Sequence, residues 1–122
     1  QERRAESLVE DARVRGVIYR ALGNEPGWTL EIGPQAQLDW ITNYGTERVR
    51  FTESKVTVSA DGLTRVYTAG QGENSITVTV RPERCVDDGD IAYDYTAVVE
   101  FGGTTLRGCA SRLSGAQASN RD

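Results

Sequence analysis

The densest set of side chains able to do chemistry lies in "CVDDGDIAYD", where Asp87, Asp88, Asp90 and Asp94 crowd four carboxylates into one short stretch. Carboxylate oxygens are hard donors, so such a loop can hold Ca²⁺. The spacing lacks the EF-hand order of ligands before a turn glycine and a distal glutamate, so no metal or other cofactor is assigned. Paired acids also serve glycosidases, but no second acidic cluster and no aromatic sugar-stacking groove is readable. The chain has no histidine. That removes Ser-His-Asp triads, Cys-His dyads and histidine-rich zinc sites. A hydroxyl nucleophile would have to use Lys55, the one lysine, as its base. The catalytic set is therefore left empty and the protein is read as a non-enzyme. Two readings of the four aspartates stay open, a solvated acidic turn and a surface that attracts a cationic partner.

A second constellation is the corner "RALGNEPGWTLEI". Pro26 fixes its own φ and biases Glu25 toward an extended conformation. Gly23 and Gly27 permit backbone angles that other residues resist, and the Asn24 side chain can bond a nearby amide. Trp28 is then the first inward residue of the next strand, placed to plug one end of a barrel. Glu25 is either held at the turn, by backbone amides or an arginine such as Arg20, or displayed as a recognition charge.

The elements that must position these residues are strands. Val17, Tyr19 and Ala21 share a face, with Arg20 opposite. Trp28, Leu30 and Ile32 oppose Thr29 and Glu31, and Leu38 and Trp40 follow. Val49 and Phe51 oppose Arg48 and Arg50. Val56 and Val58 oppose Thr57 and Ser59, and Ile76, Val78 and Val80 oppose Thr77 and Thr79. Period-two alternation marks half-buried antiparallel strands. Turn residues at Gly33, Asn43, Ala60 and Ala69 separate the runs. The expected fold is all-β, an antiparallel up-and-down barrel or sandwich of about eight strands. Residues 1–14 read as a tether or short helix, 15–112 as one β-domain, and 113–122 as a flexible polar tail. The chain has 122 residues and a net charge of −4, which sets it apart from the basic faces of nucleic-acid binders. No apolar run approaches the roughly 20 residues of a membrane-spanning helix.

The C-terminal hairpin can be read residue by residue. Gly102-Gly103 suits a two-residue primed turn. With Phe101 facing Thr104, Val99 pairs with Leu106, Ala97 with Gly108 and Tyr95 with Ala110 on the inner face, while Thr96 faces Cys109 on the outer one. The preceding strand buries Ile76, Val78 and Val80, so Cys85 just beyond it also falls on the outer side. A Cys85–Cys109 disulfide is expected, and with it an oxidising compartment.

"YRALGNEPGWTLEI", a downstream Cys and "GTTLRGCA" resemble a family of small bacterial envelope lipoproteins that share a GNEPFW-like corner and a C-terminal Cys…Gly-Cys pair. Here the corner spans Gly23 to Trp28, with Gly27 where an aromatic is usual, and the pair is Cys85 with Gly108-Cys109. After Cys85, "VDDGDIAYDY" stands where the family carries an Asp-Gly-Met-Ser-Gly-like segment and a Tyr-Pro. The resemblance implies a periplasmic or outer-membrane-anchored protein, made with a signal peptide and held to the membrane only through a lipidated cysteine upstream. The function expected is a non-enzymatic envelope binding module. Its partner would be a basic envelope or extracellular protein, with inhibitor-like action on one such as lysozyme, met by Asp87, Asp88, Asp90, Asp94 and Glu25. A barrel that binds a small apolar or amphiphilic ligand inside is the alternative, although Trp28, Trp40, Tyr95 and Phe101 would fill it.

Overall fold

The computed structural model describes residues 9–24 and 27–113. Eleven strands follow a helical turn at 9–14. They are β1 (Tyr19–Asn24), β2 (Gly27–Ile32), β3 (Leu38–Thr42), β4 (Glu47–Phe51), β5 (Lys55–Val58), β6 (Arg65–Ala69), β7 (Ile76–Arg81), β8 (Cys85–Val86), β9 (Ala92–Tyr93), β10 (Tyr95–Phe101) and β11 (Thr104–Arg112). Nine of them make one antiparallel sheet in the order β4-β3-β2-β1-β11-β10-β7-β6-β5, and β8 and β9 pair separately. The all-β expectation holds, with one strand more in the main sheet than about eight and a small hairpin beside it.

The sheet curls into a half-barrel and stays open between β4 and β5, neighbours in the chain that occupy its two edges. This open seam explains where the alternation misleads. Val49, Val56 and Val58 are register partners of the buried Trp40, of the buried Tyr67 and of Arg65, so they share the concave face, yet all three are exposed. Among the described residues no strand lies beyond β4 or β5 to cover that face. Both edges carry charge, Glu47, Arg48 and Arg50 on β4 and Lys55 on β5, which discourages pairing with another sheet.

The concave face holds the core. Leu30, Leu38, Ile76, Val78, Val80 and Val99 are its largest fully buried side chains. The C-terminal hairpin has the expected register from Phe101↔Thr104 to Tyr95↔Ala110, and Gly102 and Gly103 adopt φ of 59° and 83°, as a primed turn requires. Trp28 is 4% exposed. Its indole lies over two glycines: a Cβ at Gly23 would overlap Nε1 and sit 2.6 Å from Cε2, and a Cβ at Gly108 would overlap the Leu22 carbonyl and sit 2.7 Å from Cζ2. The ring is completed as part of an aromatic row, with Trp40 at 5.4 Å and Phe101 a further 6.0 Å on.

Residues at both ends of the domain pack together. Ala12 in the helical turn, Val17 and Leu113 form a second small buried cluster with Val9 against it, and the Leu113 amide donates to the Ile18 carbonyl at 2.6 Å. The segment around Ala12 is thus docked rather than a free tether, and Leu113 belongs to the domain rather than to the tail. The remainder of the expected tail, and residues 1–8, lie outside the described residues.

On the convex face a row of charges crosses four strands, since Arg20 pairs with Glu31, Glu31 with Asp39 and Asp39 with Arg50. Glu31 and Asp39 are 5% and 4% exposed. Two carboxylates directly opposite would repel; each is neutralised by a forked arginine. Arg15 donates to both Glu31 oxygens at 2.9 and 3.0 Å, and Arg50 to both Asp39 oxygens at 2.8 and 3.2 Å. Such two-point pairs are the stronger kind. The Glu31 bond raises the Arg15 pKa, with desolvation opposing and Asp11 assisting.

Candidate functional site

The β8–β9 hairpin lies against the convex face beside β1 and β11. Its pairing, Cys85↔Tyr93 and Val86↔Ala92, is too short to stand alone. The Cys85–Cys109 disulfide, with Cα atoms 5.4 Å apart, ties it to the middle of β11. The outward parity read from the sequence therefore meets its partner, and neither cysteine is free.

Asp87 organises the bend. Its Oδ1 accepts from the Gly89 and Ile91 amides, both at 2.9 Å, and its Oδ2 accepts from the Tyr93 hydroxyl at 2.9 Å. Self-bonding of this kind is why aspartate is favoured in turns. The positive φ of 64° falls on Asp90, a residue type that tolerates the left-handed region. Asp87 is therefore neither a merely solvated charge nor free to meet a partner; it is the pin of the loop. Asp88, Asp90 and Asp94 are exposed. Among the described residues no three of the Cys, Asp or Glu side chains gather as a metal set.

These hydrogen bonds set a pH window. The Ile91 amide above all, with the Tyr93 hydroxyl and Gly89 amide, holds the Asp87 carboxyl below its ordinary value against a smaller opposing effect of burial. That contribution is present above the ordinary aspartate value of about 3.9 and fades as pH falls through the lowered one. Burial, then the bond to Asp87, pushes Tyr93 up to about 12. Its contribution is complete below the ordinary tyrosine value of about 10 and fades as pH rises toward the raised one. A difference titration of tyrosine absorbance between the wild type and Tyr93→Phe is expected to place this phenol well above the ordinary value. Ionisation near 10 would mean that the hydroxyl is not held by Asp87.

Crevices surround one side chain, Leu22. The first, of about 310 Å³, runs along the disulfide with Gly23, Val86, Asp87, Asp88, Thr96 and Arg107 in its walls. A second, about 270 Å³, lies toward Trp28 and Tyr44 with Arg20 and Ile41. A third, about 230 Å³, lies under the hairpin between Arg20, Asp87, Ile91 and Tyr93. The structure thus brings Gly23, Trp28, the disulfide, Asp87 and Asp88 to one region. It does not bring Asp94, which stands in a separate crevice with Arg13 and Arg112. Glu25 and Pro26 lie outside the described residues, as does the side chain of Asn24.

Leu22 and Tyr44 were not singled out from the sequence, and Arg20 only as a counter-ion for Glu25, which lies outside the described residues. Leu22 did carry a signal, an apolar residue at an outward parity next to inward Ala21. Tyr44 carried none that a single chain reveals. It sits at a φ of 55°, 79% exposed, with its ring over Gly27, where a Cβ would be only 2.5 Å from Cε1. The glycine at 27 is thereby explained as room for an aromatic ring supplied by another turn.

No family model, curated protein or solved structure matches the chain.

Proposed function

We propose that this protein is a non-enzymatic binding module of the bacterial cell envelope that engages a basic protein partner through the tip of its β8–β9 hairpin. The observation that carries the reading is the make-up of that tip. Val86 and Ile91 are 49% and 48% exposed, they flank the exposed Asp88 and Asp90, and the whole is pinned by a disulfide at its base. Exposed acids raise the rate of encounter with a cationic partner, and an apolar pair supplies area to bury once contact is made. A fixed hairpin loses little freedom on binding. The disulfide supports an oxidising compartment, and with the resemblance set out above it favours a periplasmic or lipid-anchored setting. Inhibitor-like binding to a basic enzyme such as a lysozyme suits this surface. The interior alternative is less well supported, because Trp28, Trp40 and Phe101 fill one end of the concave face and Tyr19 and Tyr95, 5.5 Å apart, stand in edge contact on it.

The test spares Asp87, whose hydrogen bonds make it structural. Asp88→Asn with Asp90→Asn is expected to leave stability unchanged or slightly raised. Association with lysozyme, used as the basic probe, should slow several-fold at low salt and converge with the wild type at high salt. Association that is indifferent to the pair at low salt would remove the tip as the recognition surface.

A further inference from the structure

Arg20 is the one member of the convex charge row without a close counter-ion. Arg15 takes both oxygens of Glu31, its register partner, and Arg50 takes those of Asp39. Among the described residues no carboxylate lies within 4.0 Å of the Arg20 guanidinium. The side chain is half-buried, and burial lowers its pKa despite the attraction of Glu31. Arginine stays protonated in proteins, so a partly desolvated positive charge faces the cleft under the hairpin.

That cleft, about 230 Å³, has a mixed lining. Val9, Leu22, Ile91 and Leu113 supply apolar walls, and Ser111, the register partner of Arg20, and Tyr93, whose hydroxyl donates to Asp87, complete the lining. Asp87 also borders it, but three donors already occupy its oxygens. We infer that this cleft binds a small anionic amphiphile, a short-chain carboxylate whose head group is held by Arg20 and whose alkyl chain lies against Leu22, Ile91 and Leu113. The guanidinium fork matches a carboxylate at two points, and the volume suits a short chain rather than a long one. This site rests on Arg20 and Leu22 and shares Ile91 with the hairpin tip proposed above, but it does not use the tip acids Asp88 and Asp90.

The probes are octanoate, octanol and acetate, titrated calorimetrically into the wild type, with amide shifts mapped by NMR. Octanoate is expected to bind about tenfold or more tighter than octanol, the factor a charge-assisted hydrogen bond contributes, and acetate should bind too weakly to measure. Shifts should centre on Leu22, Ile91, Tyr93 and Leu113. Arg20→Gln should bring octanoate down to the level of octanol. Ile91→Asp, which removes an apolar wall and adds a charge of the ligand's own sign, should weaken octanoate by a similar factor. Equal binding of octanoate and octanol by the wild type overturns the assignment without recourse to any variant. So does octanoate that fails to bind at millimolar concentration, or shifts that map elsewhere.

Discussion

Trp28→Ala is expected to destabilise the domain by ~3 to 5 kcal/mol, the cost of removing a large buried ring and leaving its space unfilled. For a domain of this size that lowers the melting temperature by roughly 12 °C or more. The ring rests on Gly23 and Gly108, which have no side chains to refill its space, and touches Trp40. Gly108→Ala tests the other half of the contact. At a roomy site, glycine to alanine stabilises by about 0.4 to 1 kcal/mol through the unfolded chain. Here the added methyl would meet the Leu22 carbonyl and the indole, and overpacking of a fixed backbone costs about 1 to 3 kcal/mol. The sign is therefore expected to reverse. Melting curves that barely move for Trp28→Ala would show that the indole is not part of the core.

Loss of the disulfide is the second large effect. Cys85 and Cys109 are 24 residues apart in sequence, and closing such a loop contributes ~3 to 4 kcal/mol in the chain-entropy treatment. Total stability for a domain is only about 5 to 15 kcal/mol. The Cys85→Ser, Cys109→Ser protein should show a denaturant midpoint lowered accordingly, and reduction of the wild type should reproduce it. The hairpin should suffer first, because β8 and β9 share no ladder with the main sheet. Loss of Asp87-dependent protection in hydrogen exchange, ahead of global unfolding, would record this. A midpoint unchanged by reduction would mean that the hairpin is held by other contacts.

Much of the fold was legible because antiparallel strands repeat every two residues and turns have their own residue types. The pairing of Val99 with Leu106 and the outward parity of Cys109 followed from one two-glycine turn. Parity could not reveal the seam. Val56 and Val58 alternate as well as Ile76 and Val78 do, but β5 is an edge strand and leaves them exposed. The acidic loop was visible as composition, but the role of Asp87 was not, since hydrogen bonds to the Gly89 and Ile91 amides depend on how the bend closes. By parity Glu31 is an ordinary outward charge, and Arg20 is one too, offered at most as a partner for Glu25. What sets Arg20 apart is that Arg15, from outside the sheet, has taken its counter-ion. That is a fact of tertiary structure, written nowhere in the local pattern.

The placement of β1 beside β11 bears on how the chain finds this fold. Every ladder of the main sheet joins strands near in sequence except one, where Tyr19 meets Arg112 and Leu22 meets Cys109 across almost the whole domain. The local hairpins can form early, each at small entropic cost, whereas this ladder must close the longest loop. Two meanders, β1 to β4 and β5 to β11, would therefore zip separately and dock last along β1 and β11. A circular permutant that joins 113 to 9 through a linker, with new ends between 51 and 55, keeps Arg15 and the Ala12–Leu113 cluster, makes the β1–β11 ladder local and should fold faster.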